Sequence, residues 1–261
     1  MKEKEMNRLL LGAMENVEKA GNLLFDRKAS GKVKKKGRND FVTATDQEVQ
    51  EVLRTGLHRL DSEIQFMGEE QDNTGVDLSR PTWILDPVDG TNNLIRGFRH
   101  SAVSLALAEE KEILLGLVYN PYNGDFFTAI KGRGAFAKGK QIHVSSRQEL
   151  SESICLIGTN PAYRRNTDQM FRRMRSIYDH CLDIRRMGAA SLDLCYVACG
   201  RADCYVEEGL RTWDYAAGML ILEEAGGRIT DLNGEPVKID TEWGNVVATN
   251  GLLHEKLMAL L

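Results

Sequence analysis

The chain has 261 residues, of which 42% are hydrophobic and 28% are charged, and its formal net charge is −4. This is the composition of a globular protein, and the small negative charge gives no general attraction to nucleic acid or to an anionic membrane surface. No apolar run approaches the ~18 residues of a membrane span, and the first residues lack a signal-peptide pattern, so we expect a cytoplasmic protein. Five cysteines without a CxxC pair indicate reduced thiols.

Two amphipathic helices are expected near the start of the chain. Apolar residues recur at helical spacing over 6–28 and again over 46–60. Between them, residues 30–39 are basic and contain glycine, which is compatible with an exposed loop or with a mobile flap over an anionic substrate. Lys35 is our candidate flap residue.

The pattern changes near residue 150. Short strands are expected at 64–68 and 82–85, and residues 101–144 read as antiparallel strands separated by turn signals. The second half alternates between strands at 153–158, 202–207 and 245–249 and helices at 168–181, 191–198 and 214–225. This order predicts an α/β (α+β) fold in which an N-terminal half, 1–145, and a C-terminal half, 146–261, form one compact unit.

The most informative segment places two carboxylates around a proline turn. An apolar strand is expected to end at Asp86, and Asp89 follows three residues later. With the Val88 carbonyl between them, they supply hard oxygen ligands at close range, which suits Mg²⁺. Gly90 leaves room for a phosphate, and its amide and that of Thr91 would face the anion at a helix start. The same residue types also form ordinary surface turns, and this alternative stays open for the motif alone.

Three other acidic segments bear on that choice. Glu69 and Glu70 follow a short strand, where solvated charge is the simpler explanation. Asp214 follows a tryptophan at the start of a helix, and Asp46 opens an earlier helix. For both aspartates an N-cap is the simpler explanation, and Asp46 is compatible with a cap and a functional role together.

Taken together, these segments resemble the inositol monophosphatase family. The matching stretches are 40–46, 68–70, 83–91, 134–145, 213–218 and 223–227. The resemblance implies a layered αβαβα sandwich of the sugar-phosphatase type, two to three Mg²⁺ per active site, a homodimer and inhibition by lithium.

The resemblance also implies roles for the acidic residues. One metal would be held by Glu69, Asp86, the Val88 carbonyl and Thr91, a second by Asp86, Asp89 and Asp214, and a weaker third near Glu69. Asp46 and Thr91 would hold the attacking water, and with Glu69 they are the expected catalytic residues. Glu70 would support the ligands from behind.

Substrate contacts are matched less closely. The resemblance assigns them to Asp89, Gly90, Thr91, Arg185, Gly188, Ala189, Ala190, Glu207 and Asp214. Ala189 departs from the hydroxyl residue common at that place, so the contact there would rest on backbone. Residues 159–165 occupy a position where substrate specificity often varies.

The expected reaction is hydrolysis of a phosphate monoester of a small polyol or sugar, most simply inositol monophosphate, by direct attack of a metal-activated water. Fructose 1,6-bisphosphate and histidinol phosphate are alternative substrates of the same site, and a 3′-phosphoadenosine nucleotide is the weakest alternative. A different class of function is a transcription-complex or RNA-binding protein that uses the basic tracts 32–36 and 172–175. Nucleic acid is the less favoured partner, because such tracts are usually just exposed.

Overall fold

The structure is a computed structural model that describes residues 3–25, 33–37, 40–164, 166–240 and 243–261, with only the backbone described for 33–37 and 40–42. The expected basic flap falls largely outside the described part: residues 30–32 and 38–39 and the side chain of Lys35 are not included. Residues 33–37 themselves form a strand rather than the expected loop, because β1 (Val33–Gly37) pairs antiparallel with β2 (Asp40–Thr43).

The first half builds a seven-stranded sheet behind two helices. The helices are α1 (Glu3–Gly21), followed by a 3₁₀ turn at Asn22–Phe25, and α2 (Ala44–Leu60). The sheet order follows the chain: β3 (Gln65–Gly68), β4 (Thr82–Asp89), β5 (Ala102–Glu109), β6 (Glu112–Asn120), β7 (Asp125–Ile130), β8 (Ala135–Ala137) and β9 (Lys140–Ile142). Strands β3 and β4 pair in parallel, and the other described neighbours in this sheet pair antiparallel. The short helix α3 (Thr91–Arg96) follows β4 directly.

The second half builds a five-stranded mixed sheet. Its order is β11, β10, β12, β14, β13. In chain order the elements are β10 (Ile154–Ile157), α4 (Thr167–His180), β11 (Asp183–Arg185), α5 (Ala190–Ala198), β12 (Cys204–Leu210), α6 (Thr212–Glu224), β13 (Arg228–Thr230), β14 (Gly244–Thr249) and α7 (His254–Met258).

Three apolar cores stack these elements in five layers. One core joins α1 and α2 to one face of the seven-stranded sheet. A second joins the opposite face of that sheet, through α5 and α6, to the five-stranded sheet. A third packs α4 and α7 on the outer face of the five-stranded sheet. The expected αβαβα sandwich is therefore confirmed. Within the described ranges, no helix has both the length and the apolar character that crossing a bilayer requires.

Several element boundaries differ from the expectation, and the differences matter for the site. Strand β4 does not end at Asp86 but continues to Asp89 through a bulge, where the pairing with β5 shifts register. Thr43, not Asp46, is the N-cap of α2, since its hydroxyl accepts the Asp46 amide. Asp214 is likewise not the N-cap of α6, which begins at Thr212. The helix expected to reach residue 28 ends at Gly21.

Candidate active site

The alternation of strand β4 directs one carboxylate into the layer of helices between the sheets. Trp83 and Leu85 belong to the core beneath α1 and α2, whereas Ile84 belongs to the core shared with α5 and α6. Asp86 follows with the parity of Ile84, because successive side chains of a strand point to opposite faces. It is 2% exposed, and one of its oxygens accepts the Val88 amide at 2.9 Å.

Asp89, after the bulge, is held by the start of helix α5. One of its oxygens accepts the Ala190 amide at 3.1 Å, and the other accepts the Ser191 amide at 2.7 Å and the Ser191 hydroxyl at 2.5 Å. Burial raises the pKa of Asp89, and the Ser191 hydrogen bonds oppose that rise. Each carboxylate oxygen accepts two bonds, so Asp89 retains capacity for a further partner.

Thr91 joins the β4 corner to helix α2. Its hydroxyl oxygen lies 3.0 Å from an Asp46 oxygen and 3.1 Å from the Val88 carbonyl. The single hydroxyl hydrogen of Thr91 can be donated to only one of these two acceptors at a time. The hydrogen bond can therefore switch between the Asp46 carboxylate and the Val88 carbonyl. Asp46 itself is buried behind Thr91, where it also accepts the Thr43 amide at 2.9 Å. Burial raises the pKa of Asp46, and hydrogen bonds from Thr43 and Thr91 lower it.

Gly90 is required by the local backbone and by its neighbours. Its φ of +88° lies in the left-handed region. A Cβ placed there would lie 3.1 Å from each of the Gly188 and His100 carbonyl oxygens. Because Gly90 has no side chain, backbone atoms form this wall of the cavity.

Asp214 and Glu69 complete an acidic cluster. The Ser104 hydroxyl of β5 donates to the Trp213 carbonyl at 3.3 Å, which ties the start of α6 to the first sheet, and Asp214 accepts the Arg211 amide at 2.7 Å. The pKa of Asp214 is raised well above its usual range, by burial and then by the charge of Glu69. The pKa of Asp86 is raised in the same way, by burial and then by the charges of Glu69, Asp89 and Asp214.

The donor set fits hard divalent cations, although the side chains do not surround a common point. No group of three or more acidic, histidine or cysteine side chains in the described part of the chain has the geometry to hold a metal ion. The cluster nevertheless offers only oxygen donors, the type that Mg²⁺ prefers. Its carboxylates also raise one another's pKa, a cost that bound cations remove.

These residues line one cavity of about 160 Å³. Its walls contain Glu69, Asp86, Val88, Asp89, Gly90, Thr91, Asn92, Thr159, Asn160, Pro161, Ala162, Arg186, Gly188, Ala190, Glu207, Leu210 and Asp214. All the expected metal-ligand residues are in this set. Asp46, Glu70, Arg185 and Ala189 are not in it, nor is Lys35, whose side chain is not described. Glu70 lies beside helix α2, where its amide donates to Gln50 at 2.9 Å.

The cationic wall of the cavity is Arg186 rather than the expected Arg185. Arg185 is exposed and pairs with Asp183. Arg186 reaches across to Thr159, donating to its hydroxyl at 3.1 Å and its carbonyl at 2.9 Å. The two arginines are neighbours in sequence, but Arg185 is the last residue of β11, and Arg186, which follows the strand, lines the cavity.

Glu207, an expected substrate contact, lies in the wall as a buried acid. It is 7% exposed and accepts the Tyr205 hydroxyl at 2.5 Å. Burial raises the pKa of Glu207 to about 7, while the Tyr205 hydrogen bond and the charge of Arg186 oppose the rise. A buried acid in a cavity wall with a pKa shifted by its surroundings is a candidate for a functional role, because perturbed pKa values cluster at functional sites.

Comparison with known proteins agrees with this geometry. Residues 5–261 match the inositol monophosphatase family. An inositol-1-monophosphatase of Rhizobium meliloti is 36% identical over 256 residues, which cover 97% of this chain and 96% of the relative. A Nus factor SuhB of Pasteurella multocida is 35% identical over 232 residues, which cover 88% of this chain and 87% of the relative.

A solved structure extends the likeness to three dimensions. It is an IMPase/NADP phosphatase complexed with Mg²⁺ and phosphate, and it superposes with a TM-score of 0.85 at 25% identity, covering 99% of this chain and 95% of the other. Family, sequence relatives and fold agree over almost the entire length. The chain therefore belongs to the inositol monophosphatase family and is a phosphatase.

Proposed function

We propose that the chain hydrolyses the phosphate monoester of a small polyol, with inositol monophosphate as the first candidate. The observation that supports this most strongly is the acidic cavity, in which Glu69, Asp86, Asp89 and Asp214 meet a glycine-lined wall. So many carboxylates in one cavity are costly unless cations neutralise them. The inositol-1-monophosphatase of Rhizobium meliloti matches nearly the whole chain and supports the choice of substrate.

In this proposal two to three Mg²⁺ are held by Glu69, Asp86, the Val88 carbonyl, Asp89, Thr91 and Asp214. The bound ions supply charge that activates a water and stabilises the oxygens of the phosphoryl group in the transition state. A related structure complexed with Mg²⁺ and phosphate supports the choice of ion.

The chain's own groups then position the reactants. The Thr91 hydroxyl donates a hydrogen bond to Asp46, so the lone pairs of the Thr91 oxygen can accept a hydrogen bond from the attacking water. The open wall at Gly90 admits the phosphate. Arg186 and Glu207 face the alcohol portion of the substrate and hydrogen-bond its hydroxyl groups. No covalent phosphoenzyme is needed, because water attacks phosphorus directly.

A panel of phosphate esters tests the proposal. Phosphate release is measured from inositol 1-phosphate, fructose 1,6-bisphosphate and histidinol phosphate, each with Mg²⁺, with Mg²⁺ plus Li⁺, and with EDTA. We expect the highest kcat/KM on inositol 1-phosphate, inhibition by Li⁺ and no release in EDTA. Phosphate release that persists in EDTA would refute the metal-dependent proposal. A clear preference for fructose 1,6-bisphosphate or histidinol phosphate would refute inositol monophosphate as the substrate.

A second candidate is an additional role in a transcription complex, which the similarity to the Nus factor SuhB of Pasteurella multocida favours. The basic tract 172–175 gives this role little support, because two of its arginines already have acidic partners. Arg173 pairs with Glu208 at 2.5 Å, and Arg175 lies 3.6 Å from Asp179. Binding of RNA that weakens steeply with salt would support this role. A cytoplasmic location and a homodimer remain predictions, tested by cell fractionation and by sedimentation equilibrium.

A further inference from the structure

A second cavity, here called the side pocket, opens beside the active-site cavity. It has a volume of about 250 Å³ and shares the segment Thr159, Asn160 and Pro161 with the active-site cavity. Its other walls come mainly from helix α4 and the residues that lead into it. The two cavities are therefore neighbours separated by one stretch of chain.

The side pocket differs in chemistry from the acidic cavity. Tyr163, Met170 and Phe171 give it an apolar wall. Its acidic residue, Glu208, is neutralised by Arg173 at 2.5 Å. Phe171 is 59% exposed, and the partly buried Tyr163 and Met170 line the same cavity. Single exposed apolar residues are common, but here the exposed ring adjoins two further apolar side chains. An apolar cavity of this kind marks a binding site for an apolar group.

The wall between the two cavities is held in place from several directions. Arg186 bonds to Thr159, and the Asn160 amide donates to the Gly209 carbonyl at 2.5 Å. The Tyr163 ring packs against the Trp243 ring with centroids 5.4 Å apart. A Cβ at Gly209 would lie 2.2 Å from Tyr163, so that glycine is needed for the close approach. These contacts order the wall that the side pocket shares with the active-site cavity.

We propose that the side pocket binds an apolar, ring-sized group on the alcohol portion of the substrate whose phosphate occupies the acidic cavity. The chain then prefers phosphate monoesters of polyols that carry an aryl substituent over the unsubstituted polyol. The size is sufficient, since an apolar cavity of about 150 Å³ accepts benzene. This inference rests on the proposed function, because the phosphate anchors the substrate beside the side pocket.

Two esters with the same reacting bond test the inference. Phosphate release with Mg²⁺ is compared for glycerol 3-phosphate and 1-O-benzylglycerol 3-phosphate, which share the phosphate ester and the leaving alkoxide and differ in the benzyl group. We expect kcat/KM to be about tenfold higher for the benzyl ester, the scale of gain from a filled apolar pocket. Phe171→Ser should reduce that ratio to about twofold, because it removes the apolar wall.

Tyr178→Ser is the matched control. Tyr178 lies on the same helix, is 56% exposed and does not line the side pocket. The control should retain the tenfold ratio. Equal Tm values for the two variants show that any difference between them comes from binding and not from folding.

The outcomes separate this inference from the proposed function. No release from inositol 1-phosphate or from either glycerol ester overturns the proposed function and this inference together. Release without a preference for the benzyl ester, or a preference that Phe171→Ser leaves intact, overturns this inference alone. A Phe171→Ser variant that changes the sedimentation mass but not the ratio shows that a second copy of the chain covers the side pocket, and also overturns it.

Discussion

Replacing Asp86 by asparagine should stabilise the metal-free protein, which is unusual for a change at a buried polar residue. Asp86 is 2% exposed, and its carboxylate is repelled by Glu69, Asp89 and Asp214. Burying an uncompensated carboxylate costs several kcal/mol, so removing it should add about 2 kcal/mol to the free energy of unfolding. The side-chain oxygen of the introduced asparagine can still accept the Val88 amide, so the local hydrogen bond remains.

The expected gain in stability of Asp86→Asn follows from the raised pKa of Asp86. A raised pKa means that the folded state holds its proton to higher pH than the unfolded state. Ionisation of Asp86 therefore lowers stability as the pH rises above the unfolded value of 3.8, and the benefit of Asp86→Asn is expected at neutral and alkaline pH.

Asp125→Asn is the matched control, with the opposite expected sign. Asp125 is equally hidden, at 5% exposed, but it pairs with Arg201 at 2.5 Å and Lys138 at 3.1 Å. These partners hold the pKa of Asp125 below its usual range, so its ionised form stabilises the fold above the unfolded pKa, and this is lost as the pH falls through the folded pKa. Since both cations are half exposed, we expect a loss of only about 1–2 kcal/mol at neutral pH.

Thermal unfolding in EDTA and in Mg²⁺ measures both effects. In EDTA at neutral pH, Asp86→Asn should raise Tm by about 4–8 °C, and Asp125→Asn should lower it. At 100 times its Kd, each bound Mg²⁺ should stabilise the wild type and Asp125→Asn by about 2.7 kcal/mol, but Asp86→Asn much less. A lower Tm of metal-free Asp86→Asn, or a rise of its Tm in Mg²⁺ as large as that of the wild type, would contradict the role of Asp86 as a repelled metal ligand.

Three further changes test other parts of the site. Gly90→Ala, at φ +88° and with a Cβ 3.1 Å from two carbonyl oxygens, should lower the free energy of unfolding by about 1–3 kcal/mol by denaturant titration; an unchanged midpoint would show that the wall yields. Thr91→Val removes the hydroxyl between Asp46 and the Val88 carbonyl, and it should lower kcat about 10²-fold with KM nearly unchanged. A raised KM with an unchanged kcat would contradict the role of Thr91 in positioning the attacking water. The pKa of Glu207 is raised from 4.5 to about 7, so the Tm of the metal-free wild type should fall as the pH rises between those values. Glu207→Gln should make this fall of Tm with pH less steep, and an unchanged fall would contradict the raised pKa of Glu207.

Much of the fold could be predicted from local patterns. The apolar run before Asp86 and the turn signals in 101–144 were sufficient to predict β4 and the antiparallel sheet, because each depends on neighbours in sequence. The hairpin of β1 and β2 was missed, since three lysines and a glycine on β1 look like an exposed loop. For Asp46 and Asp214 alone a helix cap was the simpler explanation, and the resemblance assigned both to the site. Each lies three residues after the N-cap, and its carboxylate accepts the N-cap amide, so both take part in capping without being the N-cap residue.

The candidate site could be predicted only as far as its acidic residues. The hydrogen bonds from the start of α5 to Asp89 join residues about a hundred positions apart. No local sequence pattern predicts them. The choice between Arg185 and Arg186 depends on where strand β11 ends, because Arg185 is its last residue and Arg186 follows it. A three-residue strand has too short a sequence pattern to predict that end. The side pocket arises from packing of α4 against the active-site wall and has no motif of its own.

Anomalous diffraction from a crystal soaked in Mn²⁺, a stand-in for Mg²⁺ with the same preference for oxygen ligands, tests the central claim most directly. We expect one peak bounded by Glu69, Asp86 and the Val88 carbonyl, and a second bounded by Asp86, Asp89 and Asp214. A cavity without anomalous density, in crystals whose dissolved protein still releases phosphate from inositol 1-phosphate with Mn²⁺, would contradict the account.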